Sequence, residues 1–340
     1  MNKFKNKNNH HFILPDTEFG VKREEEIINS IGQGTTGAVK GAALTIAKTV
    51  ERHFSRNKKQ LRIGETTINP TGFVDNVANL AADGEGAREA GERLTRTIGE
   101  LTLKAHPKKT VNLVVGWKEQ REKLKAELEQ EPMKIHGFEV KAAKSEAYLG
   151  MMFSEEGPKA SIDLTIEARR AKAIMKTKLA KQLLRDERIQ QLGWLDVARV
   201  LYQQTVLPTL TYSAIAWIKM TKKQKAQVEV AQKDCLYDPL ELLPSAKYSA
   251  VLLEMGMTRI EHIVNQLKIN YVSNLLYDKP KSQVVKVLWE QYNSGGGGLI
   301  EEVKMACQRY EIPDVMVNYI RLRKEGDQSL WDGGGVDRDH

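Results

Sequence analysis

Cysteines and long apolar runs are scarce in this chain, and each shortage excludes a class of protein. Two cysteines among 340 residues, Cys235 and Cys307, supply neither a disulfide framework nor a paired zinc motif. No window reaches the roughly 18 apolar residues of a membrane span, and the Asn- and Lys-rich start has no apolar core. We therefore expect a protein of the nucleus or cytoplasm, neither secreted nor membrane-spanning, with free and buried thiols.

Charged residues of both signs are abundant, with a small basic excess. The chain has 52 Lys and Arg against 44 Asp and Glu, a formal charge of +8 and a pI near 9.2. Such a balance also occurs in proteins that never bind phosphate, so the clustering of the charges matters more than their sum. The composition fits a nucleic-acid-binding protein without specifying one.

Hydrophobic periodicity divides the chain into two halves of different character. Short extended runs alternate with helical patterns in the first half, whereas Thr165–Ile320 is helical almost throughout, with breaks at Gly and Pro. We predict an α+β fold with a disordered leader over residues 1–22, an α+β region over 23–160, helices over 161–325 and a flexible tail over 326–340.

The first half contains several specific expectations. Phe73–Leu80 is predicted as one strand of a hairpin, and Glu85–Leu101 as a helix that Asp83 can cap. Val111–Val115 is nearly all apolar, which is typical of a strand buried on both faces. A second hairpin is predicted from the segments Ile135–Val140 and Tyr148–Phe153.

Several short motifs occur in the chain, and their order is informative. The first three are Gly32-Gln33-Gly34-Thr35, Gly72-Phe73-Val74-Asp75-Asn76 and Leu103–Thr110. In the second, an Asp between apolar positions at a hairpin stands where a nucleotidyl transferase holds a divalent metal. Glu146–Phe153 and Val206–Trp217 extend the series. Together the motifs resemble the reverse transcriptase of non-LTR (LINE-like) retrotransposons, over about residues 28–276.

The resemblance implies a fold and an activity. It implies a partial polymerase palm, a short antiparallel sheet with helices, followed by a primer-grip hairpin, a helical thumb and a C-terminal helical region. The activity would be RNA-directed DNA polymerisation with Mg²⁺ as cofactor and an RNA template paired with a DNA primer as partner. Two metal ions clamp the attacking hydroxyl and the departing pyrophosphate in such a reaction.

The resemblance also assigns roles to single residues. Asp75 would be a catalytic ligand of magnesium, and Lys109 would lie near the triphosphate as a charge-neutralising or proton-donating group. Asn76 stands where the family usually has a second Asp; its amide can ligate a hard cation without adding charge, so metal affinity should fall. The nucleotide and template contacts would be Gly32, Gln33, Gly34 and Phe73, and the primer grip would be Tyr148, Leu149 and Gly150.

One part of the family pattern has no counterpart among these motifs. The palm uses another Asp on an earlier strand, preceded by a fingers region, whereas Asp16 lies in a segment typical of a turn. We therefore expect this chain alone to be an incomplete and inactive polymerase. A fingers-containing fragment could be a further partner.

A basic stretch in the second half admits two interpretations. Arg169, Lys172 and Lys176 recur at helical spacing, and we expect a separate buried stripe of Ala171, Met175, Leu179 and Leu183. The basic face is either a solvated helix surface or, as in a thumb, a track for the phosphates of a duplex.

Other candidates are interpreted structurally. Lys219, Lys222, Lys223 and Lys225 are predicted to lie in a solvated loop, and His106 in a turn. Tyr212 and Trp217 are predicted to be core aromatics.

Two functions are compatible with these patterns: a reverse transcriptase-like protein, and a non-catalytic nucleic-acid-binding or interaction protein derived from a retroelement.

Overall fold

The structure is a computed structural model that describes residues 4–5, 11–12, 62–63, 65–68, 71–73, 76–100, 105–106, 109–191, 193–295 and 297–325. The chain divides into two compact units. The first unit comprises Met1–Leu149 and Ser154–Gly157, and the second comprises Gly150–Phe153 and Pro158–His340. Among the motif residues, Gly32, Gln33, Gly34 and Asp75 lie outside the described residues.

Where the structure describes the first half of the chain, it consists of short strands and two helices. Its strands are β1 (Phe4–Lys5), β2 (His11–Phe12), β3 (Arg62–Ile63), β4 (Thr66–Thr67), β5 (Thr71–Phe73), β6 (Asn76–Ala78), β7 (Val111–Asn112), β8 (Lys134–Ile135), β9 (Phe138–Glu139), β10 (Lys141–Ala142), β11 (Ser145–Tyr148) and β12 (Met151–Ser154). The helices are α1 (Gly84–Glu100) and α2 (Lys118–Gln130). The pairs β1–β2, β3–β4, β5–β6 and β8–β9 are antiparallel, and β7 pairs with β10 in parallel.

A hairpin is present around Asp75, but its strands differ from the predicted one. β5 and β6 pair with each other, with Gly72 opposite Val77 and Phe73 opposite Asn76. The prediction of one continuous strand over Phe73–Leu80 is therefore wrong. Because Phe73 pairs with Asn76, only two residues connect the strands, which is the commonest length of a hairpin connection.

Helix α1 begins where its sequence signals predict. The Asp83 Oδ1 accepts a hydrogen bond from the Gly86 backbone N–H at 2.7 Å, which satisfies one of the free donors at the helix start. Further along, a Cβ at Gly91 would lie 2.6 Å from Met133 Cγ, so glycine permits the close approach of α1 to this side chain. Met133, Ile135 and Val140 form a small apolar core there, with Leu94 packed against it.

The segment Ile135–Val140 is a hairpin in itself. Ile135 of β8 pairs with Phe138 of β9, and His136 and Gly137 connect them with φ values of 49° and 83°. The prediction of this segment as a single strand of a larger hairpin is therefore wrong. Two consecutive residues with positive φ are the geometry of a tight two-residue turn, which reverses the chain within the segment.

The strand predicted over Val111–Val115 is only partly present. Only Val111 and Asn112 pair, with Lys141 and Ala142 of β10. Val114 is buried, but Val115 is exposed, so burial on both faces is wrong. A continuous apolar run does not reveal how many neighbouring strands will cover it, and here the described ladder contains two strands.

The second half of the chain is helical, as predicted for Thr165–Ile320. No strand occurs among the residues described between 158 and 325. The helices are α3 (Pro158–Leu184), α4 (Glu187–Gln191), α5 (Trp194–Leu201), a π-helical turn (Tyr202–Val206), α6 (Leu207–Thr211), a 3₁₀ turn (Ala214–Ala216), α7 (Lys222–Tyr237), α8 (Tyr248–Glu254), α9 (Ile260–Asp278), α10 (Gln283–Asn293), α11 (Leu299–Arg309) and α12 (Val315–Glu325).

Glycine marks two helix boundaries in this half. Gly193 precedes α5 with a left-handed φ of 84°, and Gly298 precedes α11 with a φ of 86°. Pro208 lies in the first turn of α6, directly after the π-helical turn, and the residues before it, Val206 and Leu207, also have helical backbone angles. The predicted breaks at Gly193 and Gly298 are confirmed, whereas the predicted break at Pro208 is wrong, because the π-helical turn before it joins α5 to α6 without interruption.

Two apolar cores stabilise the second unit. The larger core lies among α3, α5, α6 and α7 and includes Trp217; the smaller lies among α9, α10, α11 and α12. Both cysteines are buried and free, as predicted, and burial raises the pKa of the Cys235 and Cys307 thiols. In the described part of the chain, no helix is both long and apolar enough to cross a bilayer.

A buried ion pair lies near Trp217. The Lys268 side chain is 4% exposed and donates from Nζ to the Trp217 carbonyl at 2.6 Å and to Glu302 Oε2 at 2.5 Å. Burial lowers the pKa of Lys268, and the Glu302 carboxylate opposes that shift. The pair therefore fixes α9 and α11 against the segment that carries Trp217.

Candidate nucleic-acid interface

Helix α3 buries a different side from the one predicted. Its buried apolar side chains are Ile162, Ile166, Ala173, Ala180 and Leu184. Met175, Leu179 and Leu183 are instead 67%, 61% and 50% exposed, so the predicted buried stripe is wrong. The helix has two apolar stripes at similar spacing. The side rich in Ala and Thr packs against α6 and α7, because small side chains let helix backbones approach.

Arg169 lies on this buried side, one turn before Lys172 and two turns before Lys176. Its side chain donates to the Gly150 carbonyl, and its guanidinium carbon lies 4.3 Å from the centre of the Tyr212 ring. The residue is 7% exposed, and its buried Nε has no hydrogen-bond partner. Burial lowers the pKa of Arg169, with Tyr212 acting in the opposite direction, but a guanidinium stays charged in proteins.

The segment that Arg169 contacts is the turn before β12. Leu149 and Gly150 have φ values of 47° and 81°, the left-handed pair that a two-residue type I′ turn requires. A Cβ at Gly150 would overlap the Arg169 guanidinium and the Tyr212 ring. Gly150 is therefore needed both for the backbone conformation and for the close approach of the arginine.

A second anchor fixes the same segment. The Thr165 hydroxyl accepts a hydrogen bond from the Met152 N–H at 2.9 Å and donates to the Ser161 carbonyl at 2.7 Å. Thr165 and Arg169 are four residues apart on α3, about 6 Å along the axis. Gly150 and Met152 are two residues apart where the chain enters β12, about 6.6 Å at the rise of a strand. The Thr165–Arg169 spacing on α3 matches the Gly150–Met152 spacing along the strand. Thr165 and Arg169, on the same side of α3, can therefore bond to Met152 and Gly150 at the same time.

The cations along α3 and just after its end differ in whether they form ion pairs. Arg170, Lys181 and Arg185 pair with Asp234, Asp238 and Glu241 at 2.7, 3.0 and 2.5 Å. In contrast, Lys172, Lys176 and Lys178 are exposed and form no ion pair within the described residues. We call these three residues the α3 lysine set. Lys172 and Lys176 are exposed as expected, whereas Arg169, at the same helical spacing, is buried by its contacts with Gly150 and Tyr212.

The other predicted site residues are more dispersed. Lys109 is exposed in a turn, where its N–H donates to the His106 carbonyl at 3.0 Å, which confirms His106 as a turn residue. Phe73 and Asn76 pair with each other in the β5–β6 ladder. Tyr148 is half-buried at the end of β11. Among the residues that the structure describes, no group of three or more His, Cys, Asp or Glu could hold a metal ion.

The second basic cluster is not a loop. Lys222, Lys223 and Lys225 lie in the first turns of α7, which begins with a capping box between Thr221 and Gln224. The loop prediction is therefore wrong for these three lysines. A Thr followed three residues later by Gln is a recognised start signal, and the sequence contains it.

The two aromatics of the second half have opposite environments. Trp217 is fully buried, as predicted. Tyr212 is 53% exposed, so its prediction as a core residue is wrong. Helix α6 ends at Thr211, and Tyr212 has extended backbone angles, which removes its side chain from the helical pattern. No spacing in the sequence identifies Tyr212 as exposed.

Comparison with known proteins adds no assignment. No family model, curated protein or solved structure matches this chain. The motifs, the lysine set and the anchored turn are the observations on which a function can be built.

Proposed function

We propose that this chain is a reverse transcriptase-like protein whose helical half binds a template–primer duplex through α3. The observation that carries the proposal is the α3 lysine set, three exposed cations without a carboxylate partner in the described part of the chain. Lysines whose charge is not neutralised locally are free to neutralise phosphates. The ordered palm motifs, ending in the anchored Leu149–Gly150 turn, support a polymerase origin.

The β5–β6 hairpin supports the catalytic part of the proposal. Phe73 and Asn76 are paired, and Val74 and Asp75 connect them. In the proposed enzyme, Asp75 is the carboxylate ligand of magnesium and Asn76 a neutral second ligand. An amide contributes no charge, so the metal would bind more weakly than at two carboxylates. Weak metal binding, with no primer extension by this chain alone, is the expected consequence.

The test is a titration of an RNA–DNA duplex at several salt concentrations. Each phosphate contact contributes slightly less than one unit to the slope of log affinity against log salt. Replacing Lys172, Lys176 and Lys178 by Gln should therefore lower the slope by roughly two to three units. The matched control replaces three exposed lysines of other helices, Lys222, Lys223 and Lys304, which removes the same charge. Equal slopes in the two triple variants would refute phosphate binding by α3.

A second function is favoured by the apolar side chains beside these lysines. Met175, Leu179 and Leu183 expose half or more of their surface on the same helix, which is typical of an interaction surface. The alternative is a non-catalytic interaction protein derived from a retroelement. Replacing these three residues by Gln separates the functions, because phosphate contacts would persist and the salt slope would be unchanged, whereas contact with an apolar partner would be lost.

A further inference from the structure

Tyr212 is an exposed aromatic ring that the structure holds in place. Arg169 lies against one face of the ring at 4.3 Å, and Gly150 lies against its edge. Even so, 53% of the residue remains accessible. An exposed tyrosine side chain normally moves among several rotamers, and it would be more stable if its apolar ring were buried. Here two contacts hold the ring while about half of the residue stays exposed.

The charge beneath the ring has no carboxylate counter-ion in the described part of the chain. Arg169 is almost fully buried, and its Nε lacks a hydrogen-bond partner. Burying a cation is costly unless an anion or several acceptors compensate it. The compensation here comes from the Gly150 carbonyl and the Tyr212 ring. The site therefore keeps a net positive charge and favours an approaching anion.

An ordered, exposed ring over a cation suits one class of ligand. Nucleobases stack on aromatic side chains whatever their sequence, and their phosphates are attracted by the nearby charge. We propose that Tyr212 is a stacking contact for an unpaired base at the end of a nucleic-acid duplex, and that Arg169 is its positioning residue. This inference rests on the proposed nucleic-acid function and adds a contact that the lysine set does not provide.

The roles of the two sets of residues differ in a measurable way. The α3 lysine set acts through phosphate charge, so its removal changes the salt dependence. Tyr212 acts through stacking, so its removal should lower affinity at every salt concentration without changing the slope. The expected loss for one stacked base is about 5- to 140-fold.

The experiment compares a blunt RNA–DNA duplex with the same duplex carrying a short single-stranded extension at either end. A 2-aminopurine in the first unpaired position reports stacking through quenching of its fluorescence. The parent should bind the extended duplex more tightly and quench the probe. Tyr212→Phe should behave like the parent, whereas Tyr212→Leu, of similar apolar size, should lose both the preference and the quenching.

Arg169 is tested with the same probe. Arg169→Lys keeps the charge but loses the planar guanidinium that reaches Gly150 and stacks on Tyr212. It should quench the probe less than the parent while its salt slope stays unchanged. Circular dichroism and thermal melting identify any variant that fails to fold, and the parent's own preference for the extended duplex and its quenching of the probe then carry the test.

The failures can be told apart. If the parent binds the blunt duplex but Tyr212→Leu keeps the preference and the quenching, the stacking contact is refuted and the proposed function survives. A parent that binds neither duplex refutes both. A parent without any preference for the extended duplex refutes the stacking contact alone.

Discussion

Replacing Gly150 by Ala gives a sharp test of the anchored turn. At a φ of 81°, an L-residue costs roughly 1–2 kcal/mol because its Cβ crowds the backbone. The new Cβ would also overlap the Arg169 guanidinium and the Tyr212 ring. If the arginine withdraws, its hydrogen bond to the Gly150 carbonyl is lost at a cost of about 1.5–3 kcal/mol. The expected total loss is about 2.5–5 kcal/mol.

The matched control is Gly295→Ala in the same unit. Gly295 also has a positive φ, 62°, but no atom lies within 4 Å of the place that an added Cβ would take. This variant should lose only the backbone contribution, roughly 1–2 kcal/mol. Urea denaturation of the three proteins, followed by circular dichroism, measures both losses.

A double-mutant cycle provides a second check. In an Arg169→Ala background, Gly150→Ala should cost less than in the parent, because the overlapping guanidinium is gone. If Gly150→Ala destabilises no more than Gly295→Ala, or if the cycle shows no coupling, Arg169 does not anchor the turn.

Three further predictions concern other parts of the molecule. Burial lowers the pKa of Lys268 in the folded protein, so just below pH 10.5 the unfolded chain binds more protons than the folded one and the stability of the parent rises with pH. Replacing Lys268 by Met should remove this rise, which denaturation at several pH values measures. Replacing Asn76 by Asp should tighten Mg²⁺ binding in calorimetry, and an equal gain in an Asp75→Ala background would contradict a shared metal site. Replacing Asp83 by Ala should destabilise α1 by about 1 kcal/mol, detectable as a lower melting temperature unless Gly86 finds another acceptor.

Local signals in the sequence predicted the structure correctly wherever a single residue determines it. Asp83 caps α1, Gly193 and Gly298 mark helix boundaries, and the second half is helical as its periodicity predicts. A hairpin near Asp75 was also expected, but its connection falls at Val74 and Asp75, inside the segment predicted as one strand. These features depend on interactions within a few residues, which the sequence displays directly.

The arrangement of Arg169, Tyr212 and the α3 lysine set was less predictable, because it depends on which elements pack against α3. Leu179 and Ala173 both continue an apolar stripe of α3, and only the packing against α6 and α7 selects the one with Ala173. That choice also buries Arg169, which sequence spacing groups with Lys172. Tyr212 is exposed because α6 ends one residue before it. Such outcomes are set by tertiary contacts, and amphipathic spacing alone does not distinguish between two similar stripes.

The four-residue interval between Thr165 and Arg169 also limits how this part of the chain can change in length. Deleting one residue between them would turn everything that follows on α3 by about 100° relative to Thr165. Arg169 would leave the Gly150 carbonyl, and lysines would turn towards the core that now receives Ala173 and Ala180. We therefore expect natural or engineered insertions to be tolerated after Leu184, where α3 ends, and to be excluded between Thr165 and Leu184.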